Sequence, residues 1–243
     1  METNTSQGLS LAERGRDASG AAITVDRRLF VQLYVFTHCA HPDKVADAFR
    51  ETQFPGAVYA SQLDPHGVGV ASFSEDENWL ADTFLPWVRT SPLAGCTPLP
   101  KMSMLGRTYA IGHETDLEHR LITRPAQTIA NPAWPWAVWY PLRRAGAFEL
   151  LPAAEQRTIL AEHGGIGHAY GRADYAHDLR LSCHGLSEDD NDFITGLFGK
   201  RLHPLSAVVQ HMRKTQQTAR YLTQLGPFFV GKALAQTLTP DYA

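Results

Sequence analysis

Residues 136–142, Trp-Ala-Val-Trp-Tyr-Pro-Leu, alternate large side chains up to Pro141, and that pattern predicts a strand. A helix is expected next. Pro152 suits its first turn, Ile159, Leu160 and His163 recur on one face, and Gly164-Gly165 predicts its end. LRLSCHGL (179–186) and NDFITGLF (191–198) then read as two strands joined across the acidic turn Ser187-Glu188-Asp189-Asp190. The stretch from Leu205 to about Leu222 is amphipathic, marked by Val208, Val209, Met212 and Ala219, and PFFVG (227–231) closes as a strand. The order is β-α-β-β-α-β.

The first half repeats that order. LFVQLYVF (29–36) is rich in β-branched and aromatic residues, and a helix over Asp43–Arg50 places Val45, Ala46 and Phe49 on one side. AVYAS (57–61) and VGVASF (68–73) form a hairpin about Asp64-Pro65-His66-Gly67. A second helix runs from Ser74 to about Arg89, with Ser74 and Glu77 spaced as a capping box, and MSMLGRTYAIG (102–112) is another strand. The fold class is therefore α+β, with two fused ferredoxin-like (βαββαβ) halves over residues 26–124 and 133–243 and a linker marked by Pro125, Asn131-Pro132 and Pro135. The residues alone suggest two sheets packed back to back. Residues 1–25 are expected to be a flexible N-terminal tail, since no apolar core segment precedes Ala22.

Composition narrows the function. The 243 residues are 44% apolar, enough for a substantial core, and carry a net charge of -3 with a pI near 6.4. Lys/Arg runs stop at pairs, so nucleic acid is not an expected partner. No apolar run approaches the roughly 20 residues that span a bilayer. The three cysteines, Cys39, Cys96 and Cys183, form no C-x-x-C pair, an odd and scattered set that points to a reducing, cytoplasmic setting. Nucleophile-elbow, P-loop, zincin and dinucleotide-binding motifs are absent, Gly164-Gly165-Ile166-Gly167 failing the last by its spacing.

Two places can carry chemistry. His163, at the expected helix end and followed by residues without side chains, can present a neutral imidazole to a planar ligand, as a haem iron requires of an axial ligand. It can equally be a C-terminal histidine that favours the helix dipole. Tyr140 follows Trp136 and Trp139 and precedes Arg143 and Arg144, an aromatic strand ending in guanidinium groups. Such a strand can hold a flat, apolar molecule with acids at its edge, or can be a packed strand whose end arginine solvates. The pairs His163/His168 and His177/His184 do not have strong zinc spacing.

Together these residues resemble the chlorite dismutase and coproheme decarboxylase family. The resemblance rests on Tyr140-Pro141-Leu142-Arg143-Arg144, Glu162-His163-Gly164, Gly185-Leu186-Ser187-Glu188-Asp189-Asp190, Met212-Arg213, Ala219-Arg220-Tyr221 and Gly226-Pro227-Phe228-Phe229-Val230-Gly231, in that order. It implies a dimeric α+β barrel within one chain, assembled as a homopentamer, with haem (coproheme or haem b) as porphyrin substrate or cofactor in the C-terminal half. By the same resemblance His163 is the iron ligand, Tyr140 the catalytic phenol and Arg144 the cation that places a propionate. Arg143, Trp139, Ile159 and Met212 complete the expected cofactor-binding set. The implied activity is oxidative decarboxylation of coproheme to haem b with hydrogen peroxide as oxidant. A divergent haem peroxidase or chlorite-splitting enzyme, or a non-catalytic haem-binding protein, is the alternative.

Departures from the family bear on that choice. Thirteen residues after the histidine, where relatives place Arg or Gln, stands Ala176, with Asp178 in reach if two residues are inserted. Candidates for the group on the open side of the iron are His113, His119, Arg172 and His177. Gln216 and Gln217 stand where chlorite-splitting members tend to carry an acidic partner for the histidine, and a neutral partner disfavours chlorite chemistry.

Overall fold

The computed structural model describes residues 9–242. A hairpin of β1 (Glu13–Arg16) and β2 (Ala22–Val25) comes first. It is followed by β3 (Phe30–Thr37), α1 (Pro42–Thr52), β4 (Gly56–Ser61) and β5 (Val68–Ser74). Next come α2 (Glu77–Trp79), a π turn (Leu80–Phe84), α3 (Leu85–Thr90), the short β6 (Thr97–Pro98) and β7 (Met104–Arg107). A second π turn (His119–Thr123) runs into α4 (Arg124–Ile129) and leads to β8 (Trp136–Arg144). After α5 (Gly146–Glu149) come the long α6 (Ala153–Arg172), β9 (His177–Ser182) and β10 (Phe193–Gly199). The chain ends with α7 (Leu202–Met212), α8 (Gln216–Tyr221), β11 (Leu222–Leu225) and β12 (Phe229–Thr237).

Within each half the strands lie in the order β7-β3-β5-β4 and β12-β8-β10-β9, antiparallel throughout. Counted from the start of its own half, each reads fourth, first, third, second, the ferredoxin-like arrangement. The halves meet edge to edge rather than back to back. β12 pairs with β4 along Gly231–Thr237, and β7 touches β9 through Arg107 and Ser182, so the sheet closes on itself as a barrel. Closure leaves no long unpaired edge on the ring, and it corrects the expectation of stacked sheets.

Strand alternation sorts side chains to the two faces. Val31, Leu33, Tyr59, Phe73, Trp139, Leu181, Phe198 and Phe229 fill the inside of the barrel. Outside the first half, Val45, Phe49, Val58, Val70 and Phe84 pack beneath α1 and the α2–α3 segment. Outside the second half, Val138, Tyr140, Leu142, Leu197, Leu205 and Val208 form a layer against α6 and α7.

Four further expectations are corrected. Residues 13–25 are not a loose tail: Glu13 accepts from Arg107 Nη1 at 3.0 Å and from the Ala110 amide at 2.9 Å, which fastens the hairpin to the barrel. Residues 1–8 of that tail lie outside the described residues. The segment around Pro125 is helical rather than a linker: the π turn just before it, in which the Arg124 amide reaches back to the His119 carbonyl, accommodates a residue with no N–H inside a continuous helix, while Leu121, Ile122, Ala126 and Ile129 are buried. Ser74 does not cap the second helix. It ends β5, and Asp76 caps instead by accepting from the Asn78 amide at 3.0 Å. Gly164-Gly165 does not end α6, which runs on to Arg172. Two glycines cost a helix roughly 1 kcal/mol each, less than the packing of the face carrying Ile166 and Tyr170 returns.

Candidate functional site

A cavity of about 270 Å³ opens between α6, α7 and the outer face of the second-half sheet. β8 and β10 supply Tyr140, Leu142, Thr195 and Leu197 to one wall, and Val208, Val209 and Met212 of α7 meet His163 of α6 on the other. His163 is held by a hydroxyl. Thr215 caps α8, and its Oγ1 donates to the Met212 carbonyl at 2.8 Å. Having spent its only proton there, Oγ1 accepts from His163 Nδ1 at 3.3 Å. That fixes the tautomer with Nε2 unprotonated and, among the described residues, without a protein partner. Burial first, then the Arg144 charge, holds the imidazole pKa below the usual histidine range, so the ring is neutral at neutral pH.

The surroundings of the imidazole leave space. Gly164 lines the cavity, and a Cβ added there would meet nothing within 4 Å. Gln217 is buried against the cavity, its Oε1 unpaired among the described residues. Tyr140 is 7% exposed and lies over Phe228 with ring centroids 4.7 Å apart. Burial pushes its phenol pKa far up, the Thr195 hydroxyl opposite it in the β8–β10 ladder working the other way, so Oη keeps its proton.

The cavity is strongly cationic. Arg120, Arg124, Arg180 and Arg213 face it against one carboxylate, Asp178. Asp178 is shared: its Oδ1 lies 2.7 Å from Arg124 Nη2 and its Oδ2 3.1 Å from Arg180 Nε. Arg213 has no such partner among the described residues. Such a lining suits an anionic ligand, guanidinium groups matching carboxylates geometrically.

Of the residues singled out from sequence, the fold brings His163, Tyr140 and Met212 together. Trp139 faces the barrel interior, edge-on to Phe198 at 5.3 Å, because neighbours on a strand point to opposite faces. Arg143 ties β8 to the acidic turn, donating from Nε to the Asp190 carbonyl at 2.7 Å and from Nη2 to the Asp189 carbonyl. Ile159 is buried one turn before His163 but is not on the cavity wall. Arg144 stacks on Phe148 and Phe193, 4.4 and 4.8 Å from their centroids, and reaches Glu149 at 3.4 Å. It acts on His163 through its charge rather than by lining the cavity.

None of the four candidates for the open side of the iron is on the wall. His113, His119 and Arg172 are exposed, while His177 stacks on Trp134 at 3.5 Å and bonds Asp174 at 2.8 Å. Ala176 and Asp178 both line the cavity. Neither Gln216 nor Gln217 partners His163, Thr215 taking that place. Two sets of residues were missed. Arg180 could have been found from alternation, because its neighbours Leu179 and Leu181 are core residues. Arg120 and Arg124 are one helical turn apart, a signal hidden when their segment is read as linker. Among the described residues no three His, Cys, Asp or Glu side chains gather as a metal cluster, and no helix is long and apolar enough to cross a membrane.

A family model described as chlorite dismutase matches residues 100–234, more than half of the chain. Solved structures share the fold at low identity. A haem-binding protein from Thermus thermophilus is 18% identical with a TM-score of 0.67, over 86% of this chain and 92% of that one. A chlorite dismutase variant from Candidatus Nitrospira defluvii is 14% identical with a TM-score of 0.64 over the same shares, 86% and 92%. The imidazole complex of the Candidatus Nitrospira defluvii enzyme is 15% identical with a TM-score of 0.61, again over 86% and 92%. No curated protein matches the sequence.

Proposed function

The chain belongs to the chlorite dismutase family, and from that premise we propose that its C-terminal half binds an iron porphyrin and uses hydrogen peroxide to convert coproheme to haem b by removing two propionate carboxylates. The observation that carries this reading is the unpartnered, neutral Nε2 of His163 in a cavity that also holds Tyr140 and four arginines. The residues fit such a group. Nε2 would be the nitrogen that holds the iron, Gly164 leaves room beside it, and Gln217 Oε1 is a buried acceptor without a donor among the described residues.

Bound there, the iron would supply the two-electron reaction with peroxide. The rest falls to the chain. Thr215 holds the imidazole orientation, and a neutral hydroxyl rather than a carboxylate leaves His163 a modest donor. Arg124, Arg180 and Arg213 bind and orient carboxylates at the cavity wall, a task the sequence suggested for Arg144. The layer of Leu142, Leu197 and Val208 excludes water. Tyr140 Oη holds the hydrogen that is given up and regained as a propionate is oxidised, its raised pKa preventing simple ionisation. Assembly as a homo-oligomer, a pentamer by resemblance, belongs to the same reading.

The test is to load the protein with ferric coproheme, titrate it with hydrogen peroxide and follow the pigment by mass. Two successive losses of formic-acid mass, carbon dioxide plus two hydrogens from each propionate, are expected, and Tyr140→Phe should slow them at least about 100-fold. Haem b formed at an unchanged rate by Tyr140→Phe would remove the phenol from the mechanism. Oxygen released from chlorite, or tight porphyrin binding without turnover on any oxidant, would assign one of the alternative activities instead.

A further inference from the structure

Tyr170 brings a second phenol to the cavity, and its hydrogen bond sets it apart from Tyr140. It follows His163 by seven residues on α6, on the same helix face and about 10 Å further along the axis. Its Oη lies 3.0 Å from Nδ1 of His211 on α7, and the two rings meet edge-on with centroids 5.6 Å apart. His211 is exposed, as is Tyr175, whose ring stands 6.3 Å from that of Tyr170. One end of the pair therefore touches the cavity and the other touches solvent. Tyr140 instead meets the Thr195 hydroxyl and feels the Asp178 and Arg213 charges from further off, and among the described residues no base hydrogen-bonds its Oη. A phenol gives up an electron far more readily when its proton can pass to a base at the same time, since the alternative is a strongly acidic phenol cation.

We propose that Tyr170 and His211 form a one-electron relay between the cavity and solvent, through which small reducing phenols are oxidised at the surface. The proposal rests on reading the cavity as a peroxide-reactive haem pocket. In each pass Tyr170 gives one electron to the pocket and its Oη proton to His211 Nδ1. The neutral tyrosyl radical then takes a hydrogen atom from an external phenol, which restores Tyr170 and leaves a phenoxyl radical, while His211 returns its proton to water. Two passes supply the two electrons, and water the two protons, that turn one hydrogen peroxide into two waters. The balance is one peroxide and two phenols to two waters and two phenoxyl radicals.

Freeze-quench EPR of the haem-loaded protein with hydrogen peroxide, alongside guaiacol oxidation, tests the relay. Wild type should give a tyrosyl signal that narrows when the tyrosines are ring-deuterated. Tyr170→Phe should remove the Tyr170 component of that signal, leaving at most that of Tyr140, and lower guaiacol turnover at least about tenfold. His211→Phe, an exposed change outside the cavity, should keep the Soret band yet show the same two losses. An unchanged signal and unchanged guaiacol rate in Tyr170→Phe would overturn the relay, as would a signal lost only in Tyr140→Phe. A normal Soret band with neither radical nor guaiacol oxidation in wild type overturns the relay alone. Failure of wild type to show any Soret band overturns the haem pocket and the relay with it.

Discussion

His163 is useful because of what its Nδ1 is doing. The Thr215 hydroxyl, itself committed to Met212, leaves the second ring nitrogen as a lone pair facing open space, and burial keeps that lone pair free of a proton. The sign of the pH effect follows. The folded pKa lies below the ordinary value of 6.5, so as pH falls below that value the unfolded chain takes up a proton that the native chain refuses. His163 thus makes the haem-free protein less stable as pH drops from 6.5 toward its folded pKa, and stability rises again as pH climbs back. Denaturant melts of wild type and His163→Gln should show this: the glutamine variant loses part of the acid sensitivity in that window, and equal slopes would refute the burial argument. At this scale the sequence was partly legible. Tyr140, His163 and Met212 sit in recognisable motifs. Trp139 could not share a wall with Tyr140, since adjacent strand residues face apart, and the same rule, left unapplied, would have marked Arg180 as a wall residue.

Helix α6 is the element that local rules misread. Gly-Gly is a sound stop signal when nothing else holds the chain, but here the helix packs along α7 and α8 past Gly164 and Gly165 and places His163 mid-helix. The alternative of a dipole-favoured C-terminal histidine falls with that. The two glycines should respond differently to alanine. Gly165 is exposed and a Cβ there meets nothing within 4 Å, so Gly165→Ala should stabilise the haem-free protein by about 1 kcal/mol. Gly164→Ala should gain similar helix stability but weaken haem binding, because its methyl enters the cavity. Thermal melts and haem titrations of the two variants decide this. Equal haem affinity in both would mean that the Gly164 face is not where the porphyrin lies.

Across the whole molecule, the repeated β-α-β-β-α-β order was readable because each strand and helix carries its own periodicity. The closure of the barrel was not. It depends on pairings between distant strands, β4 with β12 and Arg107 with Ser182, which leave no local pattern. The interior also depends on close approaches that only glycine allows. A Cβ at Gly69 would sit 2.5 Å from Cζ of Phe229, a ring 1% exposed in the barrel centre. Gly69→Ala should therefore destabilise the protein by about 1–3 kcal/mol, read as a lower Tm. A Tm equal to wild type would show that the interior is looser than the packing implies.

Every role assigned in the cavity depends on the His163 ring meeting a porphyrin iron. Absorption and EPR spectra of ferric haem-loaded wild type and His163→Ala, recorded with and without added imidazole, test it most directly. Wild type should show a nitrogen-ligated iron. In His163→Ala that signature should vanish, and free imidazole diffusing into the vacated space should restore it. An alanine variant whose spectra match those of wild type without imidazole would contradict the assignment.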